Sequence, residues 1–126
     1  MTAIAAMHLA DGGRQLLADA AAAPTGRATR LLLSMPGLRC LLIALSSGQS
    51  LAEHDSPPAA TLFVQSGTVR LTSGREGWTV HAGQLIAIPP ARHALHADTD
   101  AVVLLTVRLD ERAAEGSPAG SGGGPG

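Results

Sequence analysis

From Arg30 onward the chain is written in short apolar runs broken by turn-forming residues, and this texture predicts strands. Residues 30–33 precede a Pro36-Gly37 turn, and residues 38–46 end at Ser47-Gly48. Residues 61–65 and 68–72 flank Ser66-Gly67, which reads as a hairpin turn. Ser73-Gly74-Arg75-Glu76-Gly77 turns the chain into residues 78–81, and Ala82-Gly83 turns it again into residues 85–88. Residues 101–109 form a continuous apolar run, the pattern of a strand buried on both faces. Strands at such short, regular spacing predict an all-β barrel or sandwich.

The ends differ in texture. Leu16, Leu17 and Ala20 give a short amphipathic helix that Pro24 stops, while Gly12 and Gly13 weaken any helix upstream of Arg14. Such a helix packs on the outside of the domain or frays. Beyond Arg112 the chain is Ala, Gly, Ser and Pro, which cannot bury enough surface to offset its ordering entropy. The expected organisation is a helical or flexible segment over residues 1–28, a β domain over 29–112 and a disordered tail over 113–126.

Composition narrows the function classes. The 126 residues suit one buried core, and 45% are hydrophobic. A net charge of −1 gives no electrostatic case for nucleic acid or an anionic membrane. No apolar run approaches a bilayer span. The first ten residues lack a basic region, and Asp11-Gly12-Gly13-Arg14 interrupts any signal-like stretch, so a cytoplasmic protein is the default expectation. Cys40, the one cysteine, lies in an apolar run and reads as a buried structural thiol. The absence of lysine and tyrosine removes Schiff-base and phenolic acid–base chemistry. Ser66-Gly67 reads as a turn and not a nucleophile. Trp78 reads as a barrel-surface or interface anchor, and Arg70, Arg92 and Arg108 as surface cations.

The chemistry-bearing positions are histidines that follow glycine-marked turns: Gly48-x5-His54, and Gly83-x5-Pro89-Pro90-Ala91-Arg92-His93. Between them runs Ala60-Thr61-Leu62-Phe63-Val64-Gln65-Ser66-Gly67. This order of elements resembles the two-motif signature of the cupin superfamily, and the resemblance covers roughly residues 38–109. It implies an all-β, cupin-like (jelly-roll) barrel of a small bacterial type with a short N-terminal helix. The family's first motif carries two histidines as H-x-H and then a glutamate, and its second carries another histidine. All four converge on a divalent metal. Here His54 matches the first histidine, Ser56 stands in place of the second, and His93 matches the last. Near the acidic position the chain has Ala59, Ala60 and Thr61.

With two of four ligands retained, the resemblance implies a small-molecule-binding or sensing barrel, non-enzymatic or with degenerate catalytic equipment, and it assigns no catalytic residue. Its pocket would be marked by His54, Ser56, Leu62, Val64 and His93, with Ala60, Leu62 and Val64 facing an apolar lumen. The second reading is a metal-dependent dioxygenase or isomerase holding Fe, Mn, Ni or Zn weakly on His54 and His93. His96 could join them only if the chain turns there, because three residues along a strand it faces the other way. The third is a structural or dimerisation module. A homodimer is expected, with neither nucleic acid nor membrane as partner.

Overall fold

The structure is a computed structural model that describes residues 5–54 and 59–109, with the side chains of Glu53 and His54 outside that description. The expected tail over 113–126, and Ser56, lie outside the described residues. Among the described residues one helix, α1 (Leu9–Ala22), precedes nine strands: β1 (Arg27–Met35), β2 (Leu38–Leu45), β3 (Ser50–His54), β4 (Ala59–Ser66), β5 (Thr68–Ser73), β6 (Glu76–His81), β7 (Leu85–Ala87), β8 (His93–Ala97) and β9 (Ala101–Arg108). They form two antiparallel sheets, a five-stranded one in the order β1-β2-β9-β4-β7 and a four-stranded one in the order β3-β8-β5-β6. The expected all-β jelly-roll barrel with an N-terminal helix is the fold observed.

Side-chain alternation explains the layering. On β2, Ile43 and Leu45 enter the barrel core, while Leu42 and Ala44 pack under α1. On β9, Ala101 and Val103 point inward and Val102 points to the helix. The continuous apolar runs of these two strands therefore reflect burial on both faces. The contact that makes the outer layer is Leu16 and Ala20 of α1 against Leu42, Ala44 and Val102.

Three local expectations are corrected. First, α1 runs through Gly12 and Gly13. Gly13 is buried, and a Cβ there would lie 2.5 Å from Gln65 Nε2 and 3.3 Å from Val102 Cγ1. Close approach of helix to sheet, together with the bond that Gln65 Nε2 donates to the Leu9 carbonyl (2.6 Å), outweighs the roughly 1 kcal/mol cost of each helical glycine. The helix stops where expected, because Ala23 is pushed to extended backbone before Pro24. Second, Ser66-Gly67 is not a hairpin. β4 and β5 belong to different sheets, so Gly67 is a corner between them. The Gly74-Arg75 loop does close a hairpin, with Ser73 opposite Glu76. Third, Cys40 is only half-buried, on the outer face of the larger sheet, where its Sγ lies 3.6 Å from Thr106 Oγ1.

Beyond the end of α1 this outer face stays apolar and open. Leu33, Met35 and Leu85 are 40%, 52% and 66% exposed, and β1 is an edge strand whose outer side is unpaired within the sheet. Two surface hollows, of about 270 and 290 Å³, lie between β1 and the residues around the start of α1, both lined by Met7, Leu9 and Leu32. Among the described residues no helix is long and apolar enough to cross a membrane.

Candidate functional site

The barrel interior is built in layers that the strand registers define, because residues directly opposite on antiparallel neighbours share a face. The deep layer is Ile43, Val103 and Val64 on one sheet, against Ala97, Val69 and Val80 on the other. The middle layer is Leu41, Leu105, Leu62 and Ile86 against Leu51, Leu95, Leu71 and Trp78. Both layers are apolar and largely buried. Trp78 therefore faces inward opposite Leu71, correcting its expected place on the barrel surface. Its strand neighbour Val80 is buried, so the period of two required this of Trp78 as well.

Among the described residues, the buried polar side chain lies at the open end. The closed end is set by the turn after Leu45, where Gly48 N–H donates to the Ala97 carbonyl and Ala97 N–H to the Gln49 carbonyl. His93 lies at the other end of β8, directly opposite His54 in backbone register. On the larger sheet the corresponding outermost layer is Ser34, Arg39, Val107 and Ala60. The open end of the barrel thus carries histidine on one sheet and arginine on the other.

His93 is 5% exposed and is the one buried polar or charged side chain among the described residues. Its Nδ1 lies 3.0 Å from the Ala91 carbonyl oxygen. A carbonyl oxygen only accepts, so Nδ1 carries a hydrogen and donates it to Ala91. The Pro89-Pro90 loop supplies this arrangement: Ala91 N–H turns back to the Pro89 carbonyl at 2.8 Å, which fixes the Ala91 peptide beside His93. The imidazole is therefore held in one orientation, with Nδ1 committed to the backbone as donor.

The other sequence-predicted residues fall as follows. Leu62 and Val64 face inward and are buried, with Ala60 on the same face at the open end. His96 lies on β8 three residues beyond His93 and on its opposite face, the outer surface of the smaller sheet. Its Nδ1 is 2.8 Å from Ser50 Oγ and its Nε2 is 3.4 Å from Thr72 Oγ1. β8 stays extended, so the structure does not bring His96 together with His93. Arg70, Arg92 and Arg108 are exposed, as is His81.

At the position where the resemblance implies an acidic ligand, the inward residue is Ala60, and its neighbours Ala59 and Thr61 are exposed. Among the described residues no three His, Cys, Asp or Glu side chains gather as a metal-ligand set. A firmly held transition metal ordinarily takes three or more such ligands. The described donors at the open end do not fit one.

Sequence reasoning missed Arg39. Its strand neighbours Leu41, Ile43 and Leu45 all face the core, so Arg39-x-Leu41-x-Ile43-x-Leu45 already placed a guanidinium stem on the interior face. Arg39 is half-buried, and its Nε is buried without a hydrogen-bond partner.

No protein-family model matches the chain, and no curated protein matches it significantly. Solved structures do. A conserved protein of unknown function from Streptococcus pyogenes is 30% identical over 71% of this chain and 79% of that one, with a TM-score of 0.64. A cupin superfamily protein from Desulfitobacterium hafniense is 14% identical over 67% of this chain and 78% of that one, with a TM-score of 0.63. A salicylate 1,2-dioxygenase from Pseudaminobacter salicylatoxidans is 18% identical over 76% of this chain, with a TM-score of 0.66; the match spans 32% of that larger protein.

Proposed function

The chain belongs to the cupin superfamily as a small cupin-domain protein, and from that premise we propose that its barrel binds or senses a small molecule at the open end without catalysing a reaction. The observation that carries this reading is the layering: two apolar layers fill the interior, and His93, held in one orientation by Ala91, stands where they end. Ligand contacts are assigned to His54, Ser56 and His93, with the apolar floor given by Leu62 and Val64. Such a site orients a small ligand through an imidazole while apolar side chains supply the affinity.

The second reading is a metal-dependent enzyme of dioxygenase or isomerase type, using His54 and His93. The register that sets these two residues opposite each other favours it, as does the presence of a dioxygenase among the structural neighbours. Elemental analysis of protein purified without chelator or nickel resin separates the two. Under the binding reading, wild type and the His54→Ala/His93→Ala variant both carry well under about one iron, manganese, nickel or zinc per ten chains. A content near one metal per chain, lost in the double variant, would replace it with the enzyme reading.

We also propose that the protein is a homodimer that covers the outer face of the larger sheet. Leu33, Met35 and Leu85 extend apolar surface beyond α1, and β1 leaves an unpaired strand edge beside it. Sedimentation at tens of micromolar should give a dimer for wild type and a monomer for Leu33→Glu/Met35→Glu. A monomeric wild type would sink the dimer and leave the binding site untouched.

A further inference from the structure

We propose that Arg39 is the anion-recognition residue of the open end, and that the ligand class is a small monocarboxylic acid with an apolar body. This rests on the reading that the open end is the binding site, and goes further by naming the ligand's chemistry. The first observation is the orphaned guanidinium nitrogen: Arg39 Nε is buried with no acceptor among the described residues. A buried donor without a partner costs about 1–3 kcal/mol, more when charged, so a native one calls for an explanation. The second is direction. Arg39 shares its face with Leu41, Ile43 and Leu45, which enter the core, so its stem points into the barrel and not to the outer surface.

The third observation is the company it keeps. In the outermost layer the neighbours of Arg39 across the sheet are Ser34 and Val107, with Ala60 beyond Val107, and Arg39 Nε bonds to none of them. The facing sheet carries the buried His93 at that end, its Nδ1 donating to the Ala91 carbonyl. The guanidinium fork of Arg39 matches a carboxylate in two parallel bonds. Beneath this layer the lining is Leu41, Leu62, Leu105 and Trp78, which accepts an apolar body and rejects a second charge. One cationic fork over an apolar floor therefore selects a carboxylate head on an apolar body.

The test is isothermal titration calorimetry with benzoate and isovalerate against their neutral amides, benzamide and isovaleramide. Wild type should bind at least one acid tenfold or more tightly than its amide. Arg39→Gln should abolish that preference while leaving the amide's affinity within twofold. Arg39→Lys, which keeps charge but not the fork, should retain part of the preference and stands in should the glutamine variant fail to fold. Without ligand, Arg39→Met should melt at or above the wild-type temperature, because it removes an unpaired donor. A lower melting temperature would assign Arg39 a structural role and overturn the proposal. Equal binding of acid and amide by wild type, or a preference that survives in Arg39→Gln, would overturn the carboxylate assignment while keeping the open-end site. No millimolar binding of any of the four would overturn both readings together.

Discussion

Gly67→Ala should cost at least about 4 kcal/mol, and so leave the barrel barely folded at room temperature, since domains of this size have only about 5–15 kcal/mol to lose. Gly67 is the single residue between β4 and β5, where the chain leaves one sheet for the other. Two independent penalties coincide there. Its φ of +82° lies in the left-handed region, which costs a side-chain-bearing residue about 1–2 kcal/mol. An added Cβ would also collide with the Asp100 carbonyl oxygen and come within 2.8 Å of Ala101 Cα. Both are backbone atoms of the turn that closes the barrel, and that turn is pinned by Ser47 N–H on Asp100 Oδ1 (2.7 Å) and Thr68 N–H on Thr99 Oγ1 (3.0 Å). It cannot yield cheaply. Gly74→Ala is the control: its φ is +60° but nothing lies within 4 Å of the added atom, so only about 1 kcal/mol of backbone strain remains. Urea denaturation of the two variants reads the difference. Equal losses for both would mean that the corner is soft and that backbone conformation alone matters.

The same glycine marks the limit of reading this chain from its sequence. Ser66-Gly67 announces a turn, and a turn is present, but local chemistry does not distinguish a hairpin from a corner between sheets. That distinction depends on which strand lies alongside, and β4 pairs with β9 and β7 from far along the chain. What did carry through was periodicity of two. It put Ala60, Leu62 and Val64 on the interior face, and the long apolar run of β9 between barrel and helix. The same rule turns Arg39 of β2 and Trp78 of β6 inward, and for Trp78 it prevails over the tendency of a lone tryptophan to anchor a surface. Helix propensity alone predicts that Gly12 and Gly13 weaken the helix. Their helix persists because a glycine is what lets it sit close to Gln65 and Val102. At the open end the histidine pair was legible as spacing, and β3–β8 pairing sets His54 opposite His93. The orientation of the His93 ring was not, since it depends on the Ala91 carbonyl.

Leu71→Ala is expected to destabilise the protein by about 3 kcal/mol, within the 2–5 kcal/mol range of buried leucine truncations. Leu71 is 1% exposed and occupies the centre of the middle layer, between Leu95 and Trp78 in register. Its loss removes transfer free energy and leaves a cavity, because its neighbours are held in ladders on both sides and cannot collapse far. At about 4–8 °C per kcal/mol for a domain of this size, the melting temperature should fall by roughly 15 °C. The size of that fall bears on function. A loss in the expected range means that the barrel is closed by side chains at this depth, so any ligand is confined to the layer of Arg39 and His93 above it. A loss under about 1 kcal/mol would mean that the middle layer is loosely filled and the lumen deep. In that case Leu71→Ala should also enlarge the set of acids bound, and titration with longer-chain carboxylates would reveal it. A filled middle layer instead predicts that chain length beyond a few carbons weakens binding, since the added methylenes have nowhere to go but back into water.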